Sequence, residues 1–144
     1  MENDNLKSSE LRCSPVILIV DDNIAGLSAV VECLENESFQ TMVAKDGMDG
    51  LVKAKLGKPD LILLDMMMPG VDGFETCLQL KKNPLTREIP VIFMTALNSV
   101  DDRLKGFEAG GVDYITKPIH QAELISRIKI HLGIQEDKRH LQKQ

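Results

Sequence analysis

Long hydrophobic runs are missing from this 144-residue sequence. Its longest stretch without a charged residue is Ile89–Val100, twelve residues, and a membrane-spanning helix needs roughly 20. The start, Met1–Glu10, is polar and acidic with no apolar run, so it does not read as a secretory signal. Positive charge is in deficit, with 17 Lys+Arg against 22 Asp+Glu for a net charge of −5. Such a surface repels a phosphate backbone, so neither direct nucleic-acid binding nor a membrane is expected. Cysteine is scarce and odd in number. Cys13, Cys33 and Cys77 are widely spaced with no C-x-x-C pair, and read as packed thiols of a cytoplasmic protein. His120, His131 and His140 lack metal-ligand spacing and read as surface residues. No G-x-G-x-x-G follows the first apolar run, which argues against a dinucleotide-binding enzyme.

What is present is the composition of one folded domain, 43% hydrophobic and 27% charged. Five short apolar runs alternate with amphipathic segments: Val16–Val20, Gln40–Ala44, Leu61–Leu64, Val91–Met94 and Tyr114–Thr116. The first and third are apolar at every position, which suits strands covered on both faces in a parallel sheet. Leu27, Val30, Val31 and Leu34 fall at i, i+3, i+4, i+7, so residues from about 24 to 36 are expected to be a helix with one buried stripe. Leu124, Ile125, Ile128 and Leu132 repeat the pattern near the end. Met48, Leu51 and Val52 predict a third stripe, Phe74, Cys77 and Leu78 a fourth, and Leu104 and Phe107 a weaker fifth. Five strictly alternating βα units imply right-handed crossovers and an α/β, doubly wound, five-stranded parallel sheet.

In open sheets of this kind, ligands bind beyond the carboxyl ends of the strands. After the first run come Asp21, Asp22 and Asn23; the third ends at Asp65, the fourth at Thr95, and the fifth is followed by Lys117 and Pro118. Each alone has an ordinary explanation, as a helix cap or a turn residue. Together they place three carboxylates, one hydroxyl and one ammonium on a single edge. Three crowded Asp side chains carry −3, and like charges in one cleft resist ionisation. Lys117 and a hard divalent cation would restore the balance, and carboxylates without His or thiolate are the donors that Mg²⁺ accepts. A carboxylate nucleophile, a divalent cation and a nearby ammonium are also the parts needed to place a phosphoryl group on an Asp. Thr95 could donate its hydroxyl to a phosphoryl oxygen.

Four segments carry a resemblance: Val20-Asp21-Asp22, Leu64-Asp65-Met66-Met67-Met68-Pro69-Gly70-Val71-Asp72-Gly73, Phe93-Met94-Thr95-Ala96 and Asp113-Tyr114-Ile115-Thr116-Lys117-Pro118. In this order and spacing, the chain from about Val16 to Leu132 resembles the receiver domain of bacterial two-component response regulators. The resemblance implies a flavodoxin-like (βα)5 fold with strand order 2-1-3-4-5. It also implies that Asp65 accepts a phosphoryl group from a sensor histidine kinase or phosphotransfer protein. Asp22 would bind Mg²⁺ directly and Asp21 through water, with Asp65 and the Met67 backbone carbonyl as further ligands, and Lys117 and Thr95 would hold the phosphoryl oxygens. Thr95 and Tyr114 would form the switch, and Pro118 would follow a cis peptide bond. The chain would then be a phosphoacceptor signalling domain of the cytoplasm, catalysing only its own phosphoryl transfer and dephosphorylation.

Two departures from the family pattern stand out. Val112 replaces an acid that one subfamily of DNA-binding regulators uses in a charged dimer face, and Met67 stands where polar residues are also common. A haloacid-dehalogenase-type phosphatase needs a second Asp two residues after the nucleophile, where this chain has Met67. A phosphorylation-independent pseudo-receiver is the alternative, but it should have lost Asp65, Lys117 or the acidic pair.

Residues 1–14 are expected to be a flexible leading segment, 15–133 the receiver, and 134–144 a helical extension or linker. Ile130, Ile134 and Leu141 lie nearly opposite the core stripe of the last helix. This second apolar face suggests pairing with a second copy or a lead into an output domain, unless Gly133 ends the helix.

Overall fold

Each fully apolar run has helices on both sides of it, because its odd and even side chains point to opposite faces of one sheet. The computed structural model describes residues 14–68, 70, 72–96 and 100–143. Its strands are β1 (Val16–Val20), β2 (Gln40–Ala44), β3 (Leu61–Asp65), β4 (Val91–Thr95) and β5 (Asp113–Thr116). All pairs are parallel, and the order across the sheet is β2-β1-β3-β4-β5. A 3-10 turn (Ile24–Leu27) leads into α1 (Ser28–Asn36), followed by α2 (Gly47–Gly57), α3 (Gly73–Lys82), α4 (Val100–Glu108) and α5 (Gln121–Lys143). This is the flavodoxin-like, doubly wound arrangement. Cys13 and the leading segment up to it, together with Pro69 and Val71 of the long motif, lie outside the described residues.

Ile17, Ile19, Leu61, Leu63, Ile92 and Met94 point to one face, where they meet Val30 and Leu34 of α1 and Leu124 and Ile128 of α5. Leu18, Val20, Ile62, Leu64, Val91 and Phe93 point to the other, against Ala54 of α2, Phe74, Cys77 and Leu80 of α3, and Ala109 beyond α4. Each fully buried Leu or Ile contributes about 1.5–3 kcal/mol relative to exposure. The central strands β1, β3 and β4 are therefore the most apolar, while β2 and β5 are edge strands with partly exposed residues. Asp46 and Asp72 cap α2 and α3 by accepting from the N–H groups of Asp49 and Glu75 at 2.8 and 2.9 Å. Cys33 and Cys77 are free and buried.

Three helical stripes differ from the sequence expectation. In α2, Met48 and Val52 are exposed and Leu51 is half-buried, while Gly47, Gly50 and Ala54 face the sheet. The cause is a close approach: a Cβ on Gly50 would lie 2.9 Å from a Val20 methyl, so only small residues fit there. Leu78 of α3 and Leu104 and Phe107 of α4 are likewise exposed, since Gly73, Phe74, Thr76, Cys77, Leu80 and Gly106 hold those helices to the sheet. His131 is not a plain surface residue, because its ring contacts Asp113. The side chains of His140 and Leu141 lie outside the described residues. Helix α5 continues through Gly133 to Lys143, with Ile130 and Ile134 exposed and Gln135 buried. Among the described residues, no helix is long and apolar enough to cross a membrane.

The α2 contact makes a prediction about size. Gly50→Leu should lose about 1–3 kcal/mol in urea unfolding through overpacking against Val20. Met48→Ala, though it removes a larger side chain, should stay within about 0.5 kcal/mol.

Candidate functional site

Strand register alone assembles the site. Val20 lies beside Leu64 in the β1–β3 ladder, so the next residues, Asp21 and Asp65, emerge as neighbours. Asp65 is level with Met94 on β4, which puts Thr95 one step further on, and Thr95 is level with Thr116, the residue before Lys117. The Lys117 N–H donates to the Thr95 carbonyl at 2.7 Å, so the end of β5 is tied to the end of β4. The Lys117–Pro118 peptide bond is cis.

The side chains converge accordingly. The Lys117 ammonium lies 3.1 Å from Asp21 Oδ2 and 3.5 Å from Asp65 Oδ2. Asp21 Oδ1 accepts from the Asn23 N–H at 2.9 Å, and Asp65 Oδ1 from the Met67 N–H at 3.1 Å. Asp21, Asp65 and Thr95 are buried, while Asp22 is exposed. One carboxylate oxygen from each of Asp21, Asp22 and Asp65 lies within 4.8 Å of the others. Three hard oxygen donors with no thiolate or imidazole among them match the chemistry of Mg²⁺.

The loop after Asp65 depends on a glycine that carries no chemistry. A Cβ on Gly73 would collide with the Asp65 carbonyl oxygen and lie 2.8 Å from the Met66 Cα. Its N–H donates to the Met66 carbonyl at 3.1 Å. Met66 and Met68 are buried there as core, and Met67, between them, is exposed beside the carboxylate.

Burial raises the Asp65 pKa more than any other influence, and the adjacent Asp21 charge raises it further. The Met67 N–H and Lys117 pull the other way, leaving it at about 6. Lys117 alone does not neutralise the cluster.

Tyr114 is half-buried on β5. Its ring meets Phe107 edge-on, with centroids 6.3 Å apart, and the Arg103 guanidinium carbon lies 4.9 Å from its centre. Beside it, Asp113 accepts from Arg127 Nη1 at 2.8 Å on both oxygens, and His131 Nε2 is 3.0 Å away. Burial opposes ionisation of Asp113, but the bonds from His131, the Tyr114 N–H and Arg127 outweigh it and hold the pKa below the ordinary range. Sequence reading did not find Arg103, Arg127 or Gly73 as contributors. Gly73 stood within the long motif, whereas the two arginines carry no local signal.

The raised pKa fixes a sign. Asp65 favours the native state fully below its unfolded pKa of about 3.9, and that contribution is lost as pH rises through about 6. In EDTA, Asp65→Asn should therefore gain stability over the parent at pH 7.5 by on the order of 2 kcal/mol. Near pH 4 the gain should nearly vanish. Urea unfolding at both pH values checks this, and an equal difference at each would refute the assignment.

The family described as the response regulator receiver domain matches residues 17–129. The chain is similar to the response regulator PleD of Caulobacter vibrioides, with 44% identity over 113 residues, which are 78% of this chain and 25% of PleD. It is also similar to a solved CheY-like receiver domain protein from Methanospirillum hungatei, with TM-score 0.80 and 31% identity over 86% of this chain and 98% of that one. A third likeness is to the receiver domain of a sensor histidine kinase from Pseudomonas aeruginosa, solved with a magnesium ion in its active-site cleft. There the TM-score is 0.77 and the identity 28%, over 83% of this chain and 97% of that one. The chain spans between a quarter and about half of the length of the curated relatives it matches. With the strand order, the acid-bearing edge and a match over most of its length all in agreement, the chain belongs to the receiver-domain family of the response regulators, domains of phosphorylation-based signalling.

Proposed function

We propose that Asp65 is a phosphoacceptor, taking its phosphoryl group from a sensor histidine kinase or a phosphotransfer protein. The observation that carries this reading is the buried Asp65 carboxylate lying 3.5 Å from the Lys117 ammonium and clustered with Asp21 and Asp22. Transfer forms a P–O bond to the Asp65 carboxylate as the P–N bond to the donor histidine breaks. The Met67 N–H orients the nucleophile through Oδ1, leaving Oδ2 on the Lys117 side. Lys117 pairs with a phosphoryl oxygen, and the Thr95 hydroxyl donates to another. Mg²⁺, held by Asp21, Asp22, Asp65 and the Met67 carbonyl, would supply positive charge against the phosphoryl oxygens. Three carboxylates and one ammonium leave a charge of −2 that a divalent cation balances.

Phosphorylation adds roughly −1.5 to −2 charge at pH 7. On this reading Thr95 follows the new charge, and Tyr114 rearranges against Arg103 and Phe107, changing the face formed by α4, β5 and α5. Residues 15–133 form the receiver, working in the cytoplasm and catalysing only its own phosphoryl transfer and dephosphorylation. The part of α5 beyond residue 133 leads toward an output, with Ile130 and Ile134 available for pairing with a second copy.

Incubation with Mg²⁺ and acetyl phosphate should add one phosphoryl group, mapped by mass spectrometry to Asp65. Uptake by Asp65→Asn at the parent rate would defeat the assignment. Thr95→Ala should still take up phosphate, but without the amide chemical-shift changes on the α4–β5–α5 face that the parent shows.

Metal binding has its own test. Mg²⁺ should raise the parent's melting temperature by binding the native state alone. Asp22→Ala should lose most of that rise, while its metal-free stability is unchanged or higher because a like charge is gone. An equal rise in both proteins would rule out the proposed ligand set.

A further inference from the structure

Helix α2 reverses the usual order of residue sizes. It packs on the sheet through Gly47, Gly50 and Ala54, and leaves Met48, Val52 and Leu56 exposed at 59%, 50% and 77%. These three are spaced at i, i+4 and i+8, so they form one straight stripe about 12 Å long. Together with α3 they enclose a groove of about 340 Å³, whose walls include Leu51 on one side and Gln79 and Asn83 on the other. None of these residues belongs to the acid cluster.

Three lysines border the groove, and the acid on its α3 wall, Glu75, already accepts from Gln79 Nε2 at 3.2 Å. Lys55 lines it, Lys58 follows the end of α2, and Lys82 precedes Asn83; all three are exposed. The acids of α2 are already engaged: Asp46 caps the helix, and Asp49 lies 3.3 Å from Lys53. A basic, apolar groove thus stands out on a chain with a net charge of −5.

We propose that the α2–α3 groove docks an amphipathic helix of a partner protein, its apolar ridge against Met48, Val52 and Leu56 and its acidic flank against Lys55, Lys58 and Lys82. A concave groove between two helices accepts a row of side chains as a ridge. A flat bilayer does not enter such a groove. A second copy would bring the same lysines against one another across a two-fold axis.

The probes are two synthetic amphipathic helices with the same leucine stripe, one flanked by glutamates and the other by lysines. The full chain should bind the glutamate peptide saturably and the lysine peptide about tenfold more weakly, with the methyl resonances of Met48, Val52 and Leu56 shifting on binding. Val52→Asp, at a half-exposed position that tolerates polarity, should lose about tenfold in affinity. Lys55→Glu should weaken the preference for the glutamate peptide severalfold while leaving phosphorylation of Asp65 unchanged. Equal affinity for the two peptides, or no effect of Val52→Asp, overturns the proposal. So does a dimer in sedimentation, or binding to anionic phosphatidylserine vesicles, that Val52→Asp abolishes, since a second copy or a membrane would then be the occupant.

Discussion

Asp21 and Asp65 are buried beside one another at the ends of adjacent strands, and the rest of the site is arranged around the cost of burying both charges, to which their mutual repulsion adds. Two ionised carboxylates in such a place are unfavourable unless positive charge and N–H donors reach them. Lys117 bridges both, and the N–H groups of Asn23 and Met67 each take one oxygen. The Asp65 pKa of about 6 shows that these partners fall short of full compensation. The remaining deficit is what a divalent cation, or a transferred phosphoryl group with its cation, is suited to fill.

The sheet can hold this unfavourable cluster because its interior is apolar on both faces. Ile17, Leu18 and Ile19 of β1 and Leu61 to Leu64 of β3 are fully buried, so a slip of register in the strands that end in Asp21 and Asp65 would draw those acids into the apolar interior. Glycine closes the packing at two points. Gly50 lets α2 approach Val20, and Gly73 lets α3 begin against the Asp65 carbonyl. Both contacts fall within one residue of an acid of the cluster, so tight packing and site geometry are secured by the same atoms.

Strand β5 connects the site to the last helix. One end is joined to β4 by the Lys117 N–H on the Thr95 carbonyl, and Lys117 also reaches Asp21. The other end is joined to α5 by Asp113, through Arg127 and His131. Tyr114 sits between these anchors, its ring held by Arg103 and Phe107 of α4. A four-residue strand anchored at both ends has little slack. On the proposed reading, this is how a charge placed on Asp65 would be felt at α4 and α5.

Much of this was legible in the sequence, for a reason of geometry. In a parallel sheet every strand ends on the same edge, so the residue after each apolar run is a candidate for one common site. Asp21, Asp65, Thr95 and Lys117 could be named without coordinates because strand hydrophobicity is local and register follows from it. Helix faces were legible only in part. The stripes of α1 and α5 were identified because large apolar residues do the packing there, whereas Met48, Val52, Leu78, Leu104 and Phe107 were misplaced by the same rule. Periodicity weighs residues by hydrophobicity and cannot register that Gly50 or Gly106 is the residue that fits. The Asp113–Arg127–His131 cluster and the Arg103–Tyr114 contact were also beyond it, since each joins side chains from different elements. The strands, their common edge and the acids on it follow from residues adjacent in the chain. Which helix faces are buried, and which cations meet Tyr114 and Asp113, is set by distances between segments that the chain brings together only on folding.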